Sequence, residues 1–155
     1  MRQEFDSLGV HNIIWAYSPD RITSREQYLE RYPGNSHVDL LGLDLYHIDG
    51  INGTDKYRES LMLGLKILRE IGREKDKPFA LTETGLEGVV IDNWFDNILL
   101  PIIKDSGISY VLLWRNAHNL PEHFYIPYRG HPAEKSFKKF AESPVILLTK
   151  DLKSL

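Results

Sequence analysis

Glu83 stands in "PFALTETG" (residues 78–85), where the strand-forming stretch 79–82 runs into a carboxylate and then a glycine. Taking a charge out of water is costly unless partners compensate. Glu83 is therefore either a satisfied structural acid, paired with a nearby cation, or a reactive one. In the second case it can serve as nucleophile or general base, given neighbours that set its protonation. Tyr46 and Arg115 are the partners the sequence offers, a hydroxyl to orient the carboxylate and a guanidinium to hold it ionised. Asp44 lies two residues before Tyr46 and so on the same strand face. It reads equally well as a hydrogen-bonded buried acid or as a ligand contact. Trp114, followed by Arg115 and Asn116, suits a stacking platform, whereas an isolated Trp would suit the core. Tyr17 is placed with this group, facing a cleft.

The elements that must position these residues follow a βα rhythm. Apolar runs occur at 12–17 ("NIIWAY"), 38–46 ("VDLLGLDLY"), 79–82 and 109–114 ("SYVLLW"). Helical patterns follow at about 24–32, 55–75, 92–104 and 133–142. In 55–75, Leu61, Leu65, Leu68 and Ile71 share one face, and Asp76-Lys77-Pro78 ends the helix. Asp92 is the expected N-cap of the third helix, with Ser106-Gly107 as its stop. The alternation predicts parallel strands joined by crossover helices, and the nearly continuous apolar runs predict strands covered on both faces. Every candidate group follows the carboxyl end of a strand, the face where function collects in parallel α/β folds.

Composition narrows the partners. The chain has 155 residues, 42% hydrophobic and 26% charged, ordinary for a single domain with no internal boundary over 1–155. A net charge of -3 gives no electrostatic case for nucleic acid or an anionic membrane surface. No apolar run reaches the length of a membrane span. Cysteine is absent, which rules out disulfides and thiolate metal sites. His47 and Asp49 are too few for a metal site, no cofactor motif is present, and Asp39 reads as a structural cap.

Taken in order, "HNIIWAYSPD", "YPGNSHVDLLGLDLY", "KPFALTETG", "YVLLWRN" and "HFYIPYRGHPA" resemble the C-terminal half of the catalytic domain of glycoside hydrolase family 26, the β-mannanases. The resemblance spans residues 11–140. It implies half of a (β/α)8 barrel, strands five to eight with their helices. It implies Glu83 as catalytic nucleophile, Tyr46 as the tyrosine that orients it, and Asp44, Trp114 and Arg115 as substrate contacts. The tail "HFYIPYRGHPA" is expected to pack the closing helix. The family's acid/base glutamate, in a His-Glu pair ending strand four, has no counterpart here. The expected protein is a retaining β-mannanase fragment acting on mannan-type polysaccharide, inactive alone, that self-associates or pairs with an N-terminal half-barrel. The alternative is a non-catalytic or vestigial glycan-binding half-barrel. Family membership would place it outside the cell or in the periplasm.

Overall fold

The computed structural model describes residues 2–154. Four parallel strands form one sheet in the order β1 (Ala16–Tyr17), β2 (Leu40–Tyr46), β3 (Phe79–Gly85) and β4 (Val111–Leu113). Helix α1 (Arg2–Ser7) precedes them, and α2 (Arg25–Leu29), α3 (Thr54–Lys75) and α4 (Leu100–Ile103) lie in the crossovers. Helix α5 (Glu134–Ala141) closes the order. Strands that neighbour one another in sequence order, with no reversal, make a sector of a barrel rather than a doubly wound sheet. The architecture is thus an α/β partial barrel.

The core lies between the sheet and the helices. Leu61, Leu65, Leu68 and Ile71 of α3 are buried, as their spacing requires, with Leu41, Leu43 and Leu45 of β2 opposite them. Close approach is possible because α3 carries Gly64 and Gly72. A Cβ at Gly64 would stand 2.6 Å from Leu43 Cδ2, and one at Gly72 2.8 Å from the Lys77 carbonyl. The other sheet face is not covered by helices. Val111 and Leu113 pack into the core, so alternation turns Tyr110 and Leu112 to the open side, where they are 42% and 41% exposed. The expected double covering therefore holds along most of β2 and β3, where Leu40 is buried and Ala80 is fully so, and fails at β4.

Strand and helix limits differ from expectation where local bonding decides them. Residues 12–15 do not join the sheet. The Trp15 amide donates to the Asp39 carboxylate at 2.9 Å, and the Trp15 carbonyl receives the amides of Asp39 and Leu40. Ile13 and Ile14 stay exposed. Strand β3 runs on past Thr82 to Gly85, because β2 pairs with it as far as Tyr46↔Gly85. The third helix does not start at an Asp92 cap. It begins as a π-helical turn over Phe95–Leu99, in which the Leu100 amide bonds the Phe95 carbonyl. Pro101 has no N–H to give the Asn97 carbonyl, and Arg58 Nη2 donates to that oxygen instead at 3.1 Å.

Candidate functional site

An irregularity in β3 builds the site. Between Leu81 and Thr84, three steps on β3 face two on β4, from Val111 to Leu113. Toward β2 the same extra residue appears, since Leu43↔Leu81 is followed by Asp44↔Glu83. A bulge of this kind bends a strand and re-aims its side chains. Here it turns two successive residues, Thr82 and Glu83, onto the open face. Thr82 Oγ1 donates to Asp44 Oδ1 at 3.0 Å, and Glu83 Oε2 receives the Tyr46 hydroxyl at 2.7 Å. Thr84 then returns to the helical side, bonding the Tyr57 hydroxyl at 2.7 Å and the Leu45 carbonyl at 2.8 Å.

Asp44 sits beside this pair. Ser18 Oγ donates to its Oδ1 at 2.7 Å and also makes a short hydrogen bond with Thr82. Gly42 leaves room for that cluster, since a Cβ there would lie 2.6 Å from Thr82 Oγ1 and 2.8 Å from Ser18 Oγ. Burial holds the Asp44 carboxyl above its ordinary value; the two hydroxyls pull it down, and the charges of Glu83 and Asp20 push it up. Burial also drives the Tyr46 phenol well above its ordinary value, with the hydrogen bond and charge of Glu83 adding to it. Tyr46 therefore keeps its proton through the neutral range and donates its hydrogen bond to the Glu83 oxygen.

The residues singled out in the sequence divide. Glu83, Tyr46 and Asp44 come together on one face of adjoining strands. Trp114 is half-buried where β4 ends, its amide bonded to the Thr84 carbonyl. Arg115 is exposed and forms no ion pair with Glu83, so the expected guanidinium support is corrected to a hydrogen bond from Tyr46, the one side chain bonded to Glu83 among the described residues. Tyr17 does not face the cleft. Its hydroxyl donates to the Tyr28 carbonyl at 3.1 Å and its ring meets Tyr28 and Tyr32 edge-on, on the helical side. It is Ser18, just past the end of β1, that reaches the open face. Asp39 is structural, as read, holding Trp15 and pairing with Arg2 at 3.3 Å.

Two contributors are invisible in the residue pattern. His47 is buried, 2% exposed, between the indole N–H of Trp94 at Nδ1 and the Gly50 carbonyl at Nε2, with its ring stacked on Tyr57. Accepting at one nitrogen and donating at the other fixes a neutral tautomer, and burial lowers its pKa. Tyr125, in the segment after β4, packs edge-on against Tyr46 with centroids 5.6 Å apart. Both line a hollow of about 380 Å³ with Tyr46, Asp20, Arg21, Ile48 and Glu87. Only the three consecutive polar residues Thr82-Glu83-Thr84 could have signalled the bulge, because a regular strand would place the first and last on one face.

A barrel sector with a tyrosine-bound carboxylate on its open face is the kind of framework that glycosidases use. The sequence profile described as Glycosyl hydrolase family 26 matches residues 2–96, and the chain belongs to that family of glycoside hydrolases. It superimposes on the GH26 β-mannanase BoMan26A of Bacteroides ovatus with a TM-score of 0.91 at 43% identity, over 96% of this chain and 42% of that one. It is 40% identical over 116 residues to a mannan endo-1,4-beta-mannosidase of Bacillus subtilis (strain 168), covering 72% of this chain and 27% of that protein. A mannan endo-1,4-beta-mannosidase of Bifidobacterium adolescentis is 28% identical over 154 residues, 89% of this chain and 15% of that protein. The chain thus spans well under half the length of these relatives.

Proposed function

We propose that this chain supplies the nucleophile-bearing part, strands five to eight, of a retaining barrel that cleaves β-1,4-mannosidic bonds. The observation that carries this reading is the 2.7 Å hydrogen bond from the Tyr46 hydroxyl to Glu83 Oε2, on the open face of a family 26 sector. In a retaining mechanism one carboxylate oxygen bonds to the anomeric carbon while the glycosidic bond breaks, and a second carboxyl protonates the departing oxygen. The two stand about 5–5.5 Å apart. Glu83 fills the first role. Its free oxygen, not the one held by Tyr46, points its lone pairs at the sugar.

Asp44, Trp114 and Arg115 are assigned to substrate contact, Trp114 as the stacking surface for an apolar sugar face. The acid/base partner comes from outside these 155 residues. Asp44 is ill suited to that part, because two hydroxyls share one of its oxygens on the face that already carries Glu83. The isolated chain is therefore expected to turn over mannan poorly or not at all, losing roughly 10²–10⁴-fold from the acid/base step alone.

A 2-deoxy-2-fluoro-β-mannosyl fluoride tests the nucleophile without needing the acid. The carboxylate oxygen bonds to the anomeric carbon as the C–F bond breaks, and fluoride departs with the electron pair. The chain is combined with the amino-terminal half of the Bacteroides ovatus relative, treated with this reagent, and mapped by mass spectrometry. Covalent mass on the peptide carrying Glu83 is the expected result. Label on another residue, or none while the intact relative labels normally, overturns the assignment.

A further inference from the structure

Tyr125 is 7% exposed in a segment that otherwise runs over the surface, and beyond its edge-on packing with the neighbouring His123 three contacts fix it. Its ring lies over Gly85, where a Cβ would come within 2.3 Å of ring carbon Cδ1. Only a residue without a side chain fits there. Its edge meets the Tyr46 ring at 5.6 Å between centroids and 66° between planes. Its backbone is clamped by Asn116, whose Oδ1 receives the amides of Tyr125 at 2.9 Å and Ile126 at 3.0 Å, while Nδ2 donates to the Ile126 carbonyl at 2.8 Å. The Gly88 amide, on the loop after β3, ties the adjoining Phe124 carbonyl at 2.8 Å. The Tyr125 hydroxyl has no hydrogen-bond partner among the described residues.

We infer that Tyr125 is a positioning residue for Glu83: wedged over Gly85 and braced by Asn116, its ring sets the angle at which the Tyr46 hydroxyl meets the carboxylate. This rests on the reading of Glu83 as nucleophile. A phenol ring can turn about its side-chain bonds, and the 2.7 Å bond survives only in a narrow range of tilt. The buried edge of Tyr125 removes the tilts that would break it, and does so through shape rather than charge. The strand end, the post-β4 segment and the reactive carboxylate are thereby one mechanical unit.

The test reads the Tyr46 phenol directly, by its ¹³Cζ chemical shift at neutral pH, assigned through Tyr46→Phe and responsive to the hydrogen bond with Glu83. Glu83, Tyr125 and Asp44 act on that phenol, and Asp20, Arg21, His47 and Glu87 share its hollow. Tyr125→Leu is expected to move that signal at least halfway to the value of a solvent-exposed tyrosine, as water enters and the bond to Glu83 loosens. Tyr125→Phe, which keeps the ring, should match wild type. Asn116→Ala, at an exposed position, loosens the same wedge without opening the core and should shift Tyr46 in the same direction by a smaller amount. Gly85→Ala should reproduce Tyr125→Leu, and adding it to Tyr125→Leu should change nothing further. In the complemented barrel, Tyr125→Leu should slow glycosylation with substrate affinity nearly unchanged. An unshifted Tyr46 in folded Tyr125→Leu and Asn116→Ala proteins, or a shift of equal size in Tyr125→Phe, overturns the inference. Absence of label on wild-type Glu83 would sink the nucleophile assignment instead, and would leave the Tyr46 chemical shift readable.

Discussion

The two ends of β3 carry two hollows, and the larger one is not where titratable side chains bond to one another. At the amino end, Arg69, Arg73, Asp76, Lys77, Asp105 and Ser106 surround a depression of about 680 Å³. Arg69 there is already committed, donating to the carbonyls of Asp105 at 2.8 Å and Ser106 at 3.0 Å, where α4 has ended. Its charge finishes a helix. At the carboxyl end the hollow is about 380 Å³, yet the polar groups beside it bond to one another, Tyr46 to Glu83 and Asp44 to two hydroxyls. Volume locates a gap between elements. Mutually bonded titratable side chains on an open sheet face locate a reactive site.

Substitutions at the two ends should separate cleanly. The largest effect belongs to Glu83→Gln, which should abolish labelling and lower turnover by the complemented barrel by about 10⁴-fold or more, while leaving thermal unfolding nearly unchanged. Appreciable turnover in that variant would return the reactive role to another carboxylate. Tyr46→Phe removes one hydrogen bond to a charged group, worth about 1.5–3 kcal/mol, so the labelling rate should fall roughly 10- to 150-fold. At the other end, Arg69→Ala should cost about 1–3 kcal/mol of stability in denaturant titrations by stripping two carbonyls of their donor. Its complemented activity should match wild type, and a lost activity would erase the contrast between the two hollows.

The smallest effect is one of pH. The folded-state pKa of Asp44 is raised, so the native chain holds that proton more tightly than the unfolded one does. Its stabilising contribution is complete below the ordinary aspartate value of 3.8 and declines as pH rises through the folded value. Asp44→Asn removes that dependence. The stability difference between variant and wild type should therefore grow in the variant's favour on going up from about pH 4. A difference that stays flat across this range would place the Asp44 carboxyl in water in both states.

How far the sequence carries can be judged from neighbouring elements. Helix α3 was legible nearly to the residue, because four apolar side chains at helical spacing and a Lys77-Pro78 stop act locally. The grouping of Glu83, Tyr46 and Asp44 was legible too, since each belongs to the carboxyl-terminal part of an apolar run. The bulge was not, because its extra residue depends on pairing with both β2 and β4 at once. Tyr17 was misplaced for a related reason. One residue of phase decides which face of β1 it takes, and that phase is set by pairing with Leu41. The π-turn at Phe95–Leu99 follows from Pro101, but its stability depends on Arg58 arriving from another helix. Tyr125 comes to the site from beyond β4, a distance that no local pattern spans.

The doubled step in β3 ties the length of the strand to its side chains and not to its pairing. Deleting either Thr82 or Glu83 would restore an unbroken ladder to both neighbours with the remaining polar side chain still on the open face, so the sheet itself would raise little objection. What would vanish is a side chain: the hydroxyl under Asp44 or the carboxylate itself. A chain shortened there could still fold soundly and be chemically mute.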